Sequence, residues 1–296
     1  MNQLLFVEVN MNRFTNYLRR NGINKQNVYK LISRITDPKL YWSLKNDIYI
    51  VYTMGKVGSS TINATLEREL KVANIFHAHY LSREWLEATE PKVGKNHPTI
   101  KLAKQIQELK SIPGKRFKII SIVRDPIAKK VSGFFQNPHL YGLTEQDLLT
   151  ISPNDACELI IKNRMNFYDA VEWFDHEFLK FTGIDIYTES FNYAAKRQII
   201  SRDDLDVLVL RIEDFKDQNK ILVNLQDFIE LPIQKMTNAN VTHKKPSAQL
   251  NKLVVDMINF PNDFVNHIYD SKYCKHFYTE EEIFQFKLKW TNTNNG

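Results

Sequence analysis

The chain has 296 residues, 43% of them hydrophobic, and its 40 lysines and arginines against 34 aspartates and glutamates give a formal charge of +6. That content is ample for a packed core, and the mild basic excess attracts nucleic acid, anionic lipid and polyphosphorylated small molecules alike without choosing among them. Two cysteines, Cys157 and Cys274, far apart and without C-x-x-C spacing, point to neither a disulfide framework nor a structural zinc site, and a reducing compartment fits them best.

The opening "MNQLLFVEVNMNRFTNYLRR" meets an acidic residue early and lacks a basic leader and a small-residue cleavage site, so no signal peptide is expected. No apolar run reaches the ~20 residues that cross a bilayer, and a cytoplasmic protein with no integral membrane segment is expected. Residues 11–46 mix basic and apolar residues at helical spacing with a break at Pro38; residues 1–46 read as a helical extension before a main domain over 47–296. "DIYIVYT" (47–53) predicts a buried strand, and a helix follows from about Ser59 to Leu70. "VANIFHAHY" (72–80) predicts a second strand, "SREWLEATE" a short helix, and "HPTIKLAKQIQELK" (97–110) a longer one that stops before the turn at Pro113-Gly114. "RFKIISIV" (116–123) predicts a third strand, and "PIAKKVSGFF" a helix with proline in its first turn.

Beyond these, residues 165–181 show helical spacing of aromatic and acidic residues, "IDIYT" and "DVLVLRI" predict strands, and 220–229 and the carboxyl-terminal region predict helices. The alternation of strands and helices predicts an α/β fold, three layers with a central parallel sheet, and there is no internal repeat.

The junction "TMGKVGSST" (53–61) carries the chemistry. A strand that runs through a glycine-containing loop into a helix makes an anion site, because the helix's first N–H groups have no internal partner and its dipole is positive there. Glycines 55 and 58 are expected to let the backbone approach an anion, Lys56 supplies charge, and Ser59, Ser60 and Thr61 supply hydroxyls. The nucleotide-triphosphatase pattern puts lysine after the last glycine. Here Lys56 precedes Gly58, and "KIISIVRDP" ends in Val-Arg where a magnesium-holding aspartate is expected.

These residues resemble the 5′-phosphosulfate loop of sulfotransferases, with Lys56, Gly58, Ser59 and Ser60 matching and Met54 and Gly55 departing from the usual pattern. "VRDPIAKKVSGFF" is similar to the same enzymes' 3′-phosphate motif at Arg124, Ser132 and Phe135. "FDHEFLKFTGIDIYTESF", "VLVLRIEDF" and "SKYCKHFYTEEEIFQFKLKW" look like a bacterial sulfotransferase-like group of capsular polysaccharide synthesis proteins. The resemblance implies a P-loop-like sulfotransferase fold and 3′-phosphoadenosine 5′-phosphosulfate as cosubstrate. It implies binding by Lys56, Val57, Gly58, Ser59, Ser60, Thr61, Arg124 and Ser132, a saccharide or other hydroxyl acceptor, and no metal or nucleic acid. Lys56 would offset charge on the departing phosphate.

The base must take a proton from the attacking hydroxyl. "FHAHYLS" offers His77 and His79 at alternate positions, on one face of a strand. The pair resembles, by local pattern, that of glycan 2-O-sulfotransferases, which implies His79 as base with His77 beside it; Glu84 is the reserve. The resemblance offers Lys244 or Lys245, in the loop 240–250, as a further contact to the 3′-phosphate, against the simpler reading of that loop as a solvated charge run, and Arg211 with Glu213 is expected to form a structural ion pair. The alternatives are a kinase-like phosphoryl transferase and a non-catalytic glycan- or nucleic-acid-binding relative of the fold. The acceptor, the oligomeric state and the role of residues 1–46 are not legible.

Overall fold

The computed structural model describes residues 47–70, 74–112, 114–237 and 247–291. The expected helical extension over 1–46, together with Lys244 and Lys245, lies outside them. Residues 48–71 and 75–296 cluster as one unit, which carries the features below.

Five strands form one sheet: β1 (Ile48–Tyr52), β2 (Asn74–Ala78), β3 (Phe117–Val123), β4 (Gln198–Ser201) and β5 (Leu205–Arg211), in the order β2-β1-β3-β5-β4. β1 and β5 both run parallel to β3, with Ile48 opposite Phe117 and Val123 opposite Arg211, and β4 pairs antiparallel to β5 at the edge. Every residue of β1, β3 and β5 is buried. Strands buried on both faces need cover on both, and this is what makes their sequences continuous apolar runs within a layered α/β arrangement.

Between strands lie α1 (Ser59–Glu69), α2 (Arg83–Val93), α3 (Pro98–Lys110), α4 (Pro126–Phe134), α5 (Pro153–Lys162), α6 (Asp169–Trp173) and α7 (Leu179–Thr182). After β5 come α8 (Gln218–Ile229), α9 (Ala248–Met257), α10 (Asn262–Tyr269), α11 (Lys272–Phe277) and α12 (Glu280–Trp290). No helix among the described residues is long and apolar enough to cross a membrane.

Two expectations fail. "IDIYT" is not a strand: Ile186–Thr188 is a 3-10 turn, because the Asp185 side chain accepts the Tyr187 N–H that a sheet ladder would need. The outer strand is instead β4, four residues alternating buried and exposed. Within 165–181 the helix is interrupted by a π-helical turn, Phe174–Phe178, joining α6 to α7.

The chain goes from β1 outward to β2, then crosses back past β1 to β3. That reversal leaves a crevice at the carboxyl ends of β1 and β3, where open α/β sheets bind their ligands.

Candidate functional site

At that crevice lies a cavity of about 230 Å³. The loop after β1 and the start of α1 contribute Gly55, Lys56, Gly58, Ser59, Ser60 and Thr61; the end of β2 contributes His77 and His79; β3 and α4 contribute Arg124 and Ser132. Both sequence motifs thus meet at one cavity. Val57 is fully buried and does not line it. Ser247 and Asn251, just after the undescribed part of the basic loop, also line it, together with Phe135, Gln136 and Ile212. No aspartate or glutamate is among the described lining residues, so Lys56 and Arg124 set its charge.

The loop backbone explains the order of its residues. Lys56 (φ 70°) and Gly58 (φ 82°) both adopt left-handed backbone. Gly58 is doubly required, since a Cβ there would also stand 2.7 Å from Ile212 Cδ1. Gly55 has neither a left-handed φ nor a near neighbour, so the expected need for glycine at 55 is corrected.

α1 then starts with Gly58 as its cap, with no side-chain capping bond and no acidic residue in its first turn. α4, at the other motif, is capped by Asp125. The uncapped helix keeps its positive end for a ligand.

Arg124 is held from both sides. Its Nη1 donates to the Lys56 carbonyl at 2.8 Å, coupling the two motifs. The buried Tyr273 hydroxyl accepts from Arg124 N at 3.1 Å and donates to Arg124 O at 2.9 Å. Next to it the Asp125 carboxylate accepts from Ile127 N and Ala128 N, from the Tyr269 hydroxyl at 2.6 Å and from Trp290 Nε1 at 2.9 Å. Asp125 N donates to Glu213 Oε1 at 2.8 Å. Burial raises the Glu213 carboxyl to about 7, against the donated Asp125 N–H. Arg211 does not pair with Glu213 as expected; its guanidinium meets Asp214 at 2.7 Å and Glu282 at 2.8 Å. Ile212–Lys216 is a 3-10 turn, in which residues three apart eclipse, and this brings Asp214 under Arg211.

The histidines are distinguished by their partners. His77 Nε2 lies 2.9 Å from Ser59 Oγ, and burial, then the neighbouring His79, lowers its pKa to about 4. His79 Nδ1 lies 2.7 Å from the Thr53 carbonyl. A carbonyl only accepts, so Nδ1 carries the proton and Nε2 is left with its lone pair. Burial lowers the His79 pKa, with Lys56 and Lys129 adding to the effect and the Thr53 bond opposing it. The ring is therefore a neutral base at pH 7, of one tautomer.

The chain after His79 is anchored by a residue that sequence reading missed. The buried Glu177, on the π turn, accepts from Leu81 N, from Ser82 N at 2.7 Å, from Ser82 Oγ at 2.6 Å and from the Tyr52 hydroxyl at 2.6 Å. Trp173 Nε1 donates to the His79 carbonyl at 3.2 Å. Lys129 was missed as well. It is buried on α4, and burial brings its pKa down to about 8, with Asp169 opposing and Lys130 and Lys56 assisting. A basic residue one turn into a helix gives no signal in sequence that it will fold inward. Glu84, the reserve base, lines a different cavity and pairs with Lys180 at 3.6 Å.

No protein-family model matches the chain, and no curated protein or solved structure matches it.

Proposed function

We propose that the protein is a sulfotransferase that moves a sulfonate group from 3′-phosphoadenosine 5′-phosphosulfate to a hydroxyl of a saccharide, as in the building of a capsule or other cell-surface glycan. The reading is carried by one observation: Lys56, the uncapped start of α1, Arg124, Ser132 and a His79 whose Nε2 is left unprotonated line a single cavity without a lining carboxylate among the described residues. The cavity is somewhat smaller than the roughly 300–1,000 Å³ of whole-ligand sites, which suits the charged ribose end of the donor with its base extending past Phe135.

In the proposed reaction the acceptor oxygen attacks sulfur. A new O–S bond forms, the S–O bond to the 5′-phosphate breaks, and the acceptor's proton passes to His79 Nε2. Adenosine 3′,5′-bisphosphate leaves with the electron pair, its charge met by Lys56 and the amide groups that open α1. Arg124 and Ser132 hold the 3′-phosphate. The layered α/β architecture suits this assignment, with the uncapped start of α1 facing one anion and the Arg124 and Ser132 side chains, after β3, the other.

Calorimetry on the full chain tests the reading. Adenosine 3′,5′-bisphosphate is expected to bind without metal, and Lys56→Ala and Arg124→Ala each to weaken it by about tenfold or more, the value of a charge-assisted contact. Preference for ATP with magnesium would point to a phosphoryl transferase, and salt-dependent RNA binding without nucleotide binding to a non-catalytic relative.

A further inference from the structure

A second cavity, of about 280 Å³, opens beyond the His79 peptide. Tyr80, the next residue, lines it, and so does Trp173, whose indole N–H holds the His79 carbonyl. Lys129 forms part of its wall and is close enough to His79 to depress its protonation. The two cavities therefore share the segment that carries the base.

The chemistry of the second cavity is unlike that of the first. Tyr80 and Trp85 stack face to face, with ring centroids 5.2 Å apart and planes 11° from parallel, and Tyr80 is 39% exposed. Around them stand three carboxylates with more than half their side-chain surface in solvent: Glu84 at 57%, Asp169 at 60% and Glu172 at 54%. Glu84 pairs with Lys180, and Asp169 with Lys130 and, at 4.0 Å, with Lys129, while His176 stands 3.8 Å from Glu172; the three carboxylates stay open to solvent, where such pairs hold weakly. A flat aromatic surface offers its negative face to the C–H groups of a sugar ring, and half-exposed carboxylates accept hydrogen bonds from its hydroxyls. The same carboxylates repel an anion.

Resting on the sulfonate-transfer reading, we infer that this cavity is the acceptor subsite and that it takes an uncharged pyranose ring, one bearing neither carboxylate nor sulfate. A glycan already rich in uronate or sulfate is excluded by the Glu84, Asp169 and Glu172 wall, so the transfer installs the first anionic group on a neutral ring. The class of reaction that supplies the substrate is then glycosyl transfer without prior oxidation or sulfation of that ring.

The test is saturation-transfer NMR on the full chain with methyl glucoside, methyl N-acetylglucosaminide, methyl glucuronide and glucose 6-sulfate, with and without adenosine 3′,5′-bisphosphate. The two neutral glycosides are expected to receive saturation on their ring protons and the two anions not. Trp85→Ala, or Tyr80→Ala should the first variant fold poorly, is expected to weaken neutral-glycoside binding about fivefold to tenfold while bisphosphate binding by calorimetry stays unchanged. Glu172→Gln is expected to admit the glucuronide. Equal or stronger signals from the anions, signals indifferent to both aromatic variants, or no glycoside signal at all would each overturn the inference. If the bisphosphate still binds in those samples, the donor reading survives. If the bisphosphate itself fails to bind, the acceptor assignment falls with the donor reading, even where glycosides bind.

Discussion

Asp125→Asn tests whether the carboxyl-terminal helix holds the loop of Arg124 in place. The Asp125 carboxylate is 2% exposed, and its two oxygens are divided: Oδ1 serves Ile127 N, Ala128 N and Tyr269, while Oδ2 serves Trp290 Nε1 at 2.9 Å. An amide can keep its oxygen on the first three donors, but its NH₂ then faces the indole N–H. A hydrogen bond to a charged acceptor is lost, and a fully buried donor is left unmet, for a destabilisation of about 2–4 kcal/mol. Trp290→Phe removes the opposing N–H, so Asp125→Asn should be cheaper in that background by about 2 kcal/mol. Urea denaturation of the four proteins of the cycle, followed by far-ultraviolet circular dichroism because a tryptophan is altered, measures this coupling. A coupling within about 0.5 kcal/mol of zero would refute the clamp, since pairs that do not interact add to within that margin.

His79→Ala is expected to leave adenosine 3′,5′-bisphosphate affinity unchanged while lowering kcat by roughly 100- to 10,000-fold, the range for a lost general base, in an assay of labelled sulfonate transfer. Because burial, Lys56 and Lys129 lower the His79 pKa below its ordinary 6.5, the acid limb of the parent's kcat profile should fall below pH 6.5 and vanish from the variant's residual activity. Glu213 titrates near 7 in the folded chain against an ordinary 4.5, so the native state holds a proton that the unfolded chain releases between those values. Its contribution is present below pH 4.5 and lost as pH rises through 7, a decline of about 3 kcal/mol by linkage. Glu213→Gln should flatten that part of the stability curve in urea titrations, and an unchanged slope would remove the assignment.

The loop between β1 and α1 is legible in the sequence because its determinants are local. Lys56, Gly58 and Ser59 through Thr61 fall within six residues, bounded by a buried strand and a helix whose patterns are strong. His77 and His79 were legible from period-two spacing, and both reach the cavity. What sequence reading missed is long-range. Glu177 caps the segment after His79 from about a hundred residues away, and only the register shift of the π turn distinguishes it from the other acidic residues of 165–181. Tyr273 and Trp290 look like ordinary core aromatics until their polar tips are found on Arg124 and Asp125. β4 gives little signal in the sequence because four residues, half of them exposed, carry little pattern, while "IDIYT" has strand composition and loses its ladder N–H to Asp185.

The two loops that face each other across the cavity are held by the same device. Glu177 gathers donors from Tyr52, Leu81 and Ser82 behind the histidine loop, and Asp125 gathers them from α4, Tyr269 and Trp290 behind the arginine loop. In each case a buried carboxylate has its charge met by several N–H and O–H groups, so it stiffens the loop without lining the cavity that Lys56 and Arg124 share. Lys56, Arg124 and the start of α1 can then act on a bound anion with no competing carboxylate among the described lining residues. The tautomer of His79 is set by the Thr53 carbonyl at the end of β1, so the base and the anion cradle of the proposed reaction are fixed to one frame. Transfer between two bound groups depends on that kind of fixed geometry, because a misplacement of an ångström can cost about a hundredfold in rate.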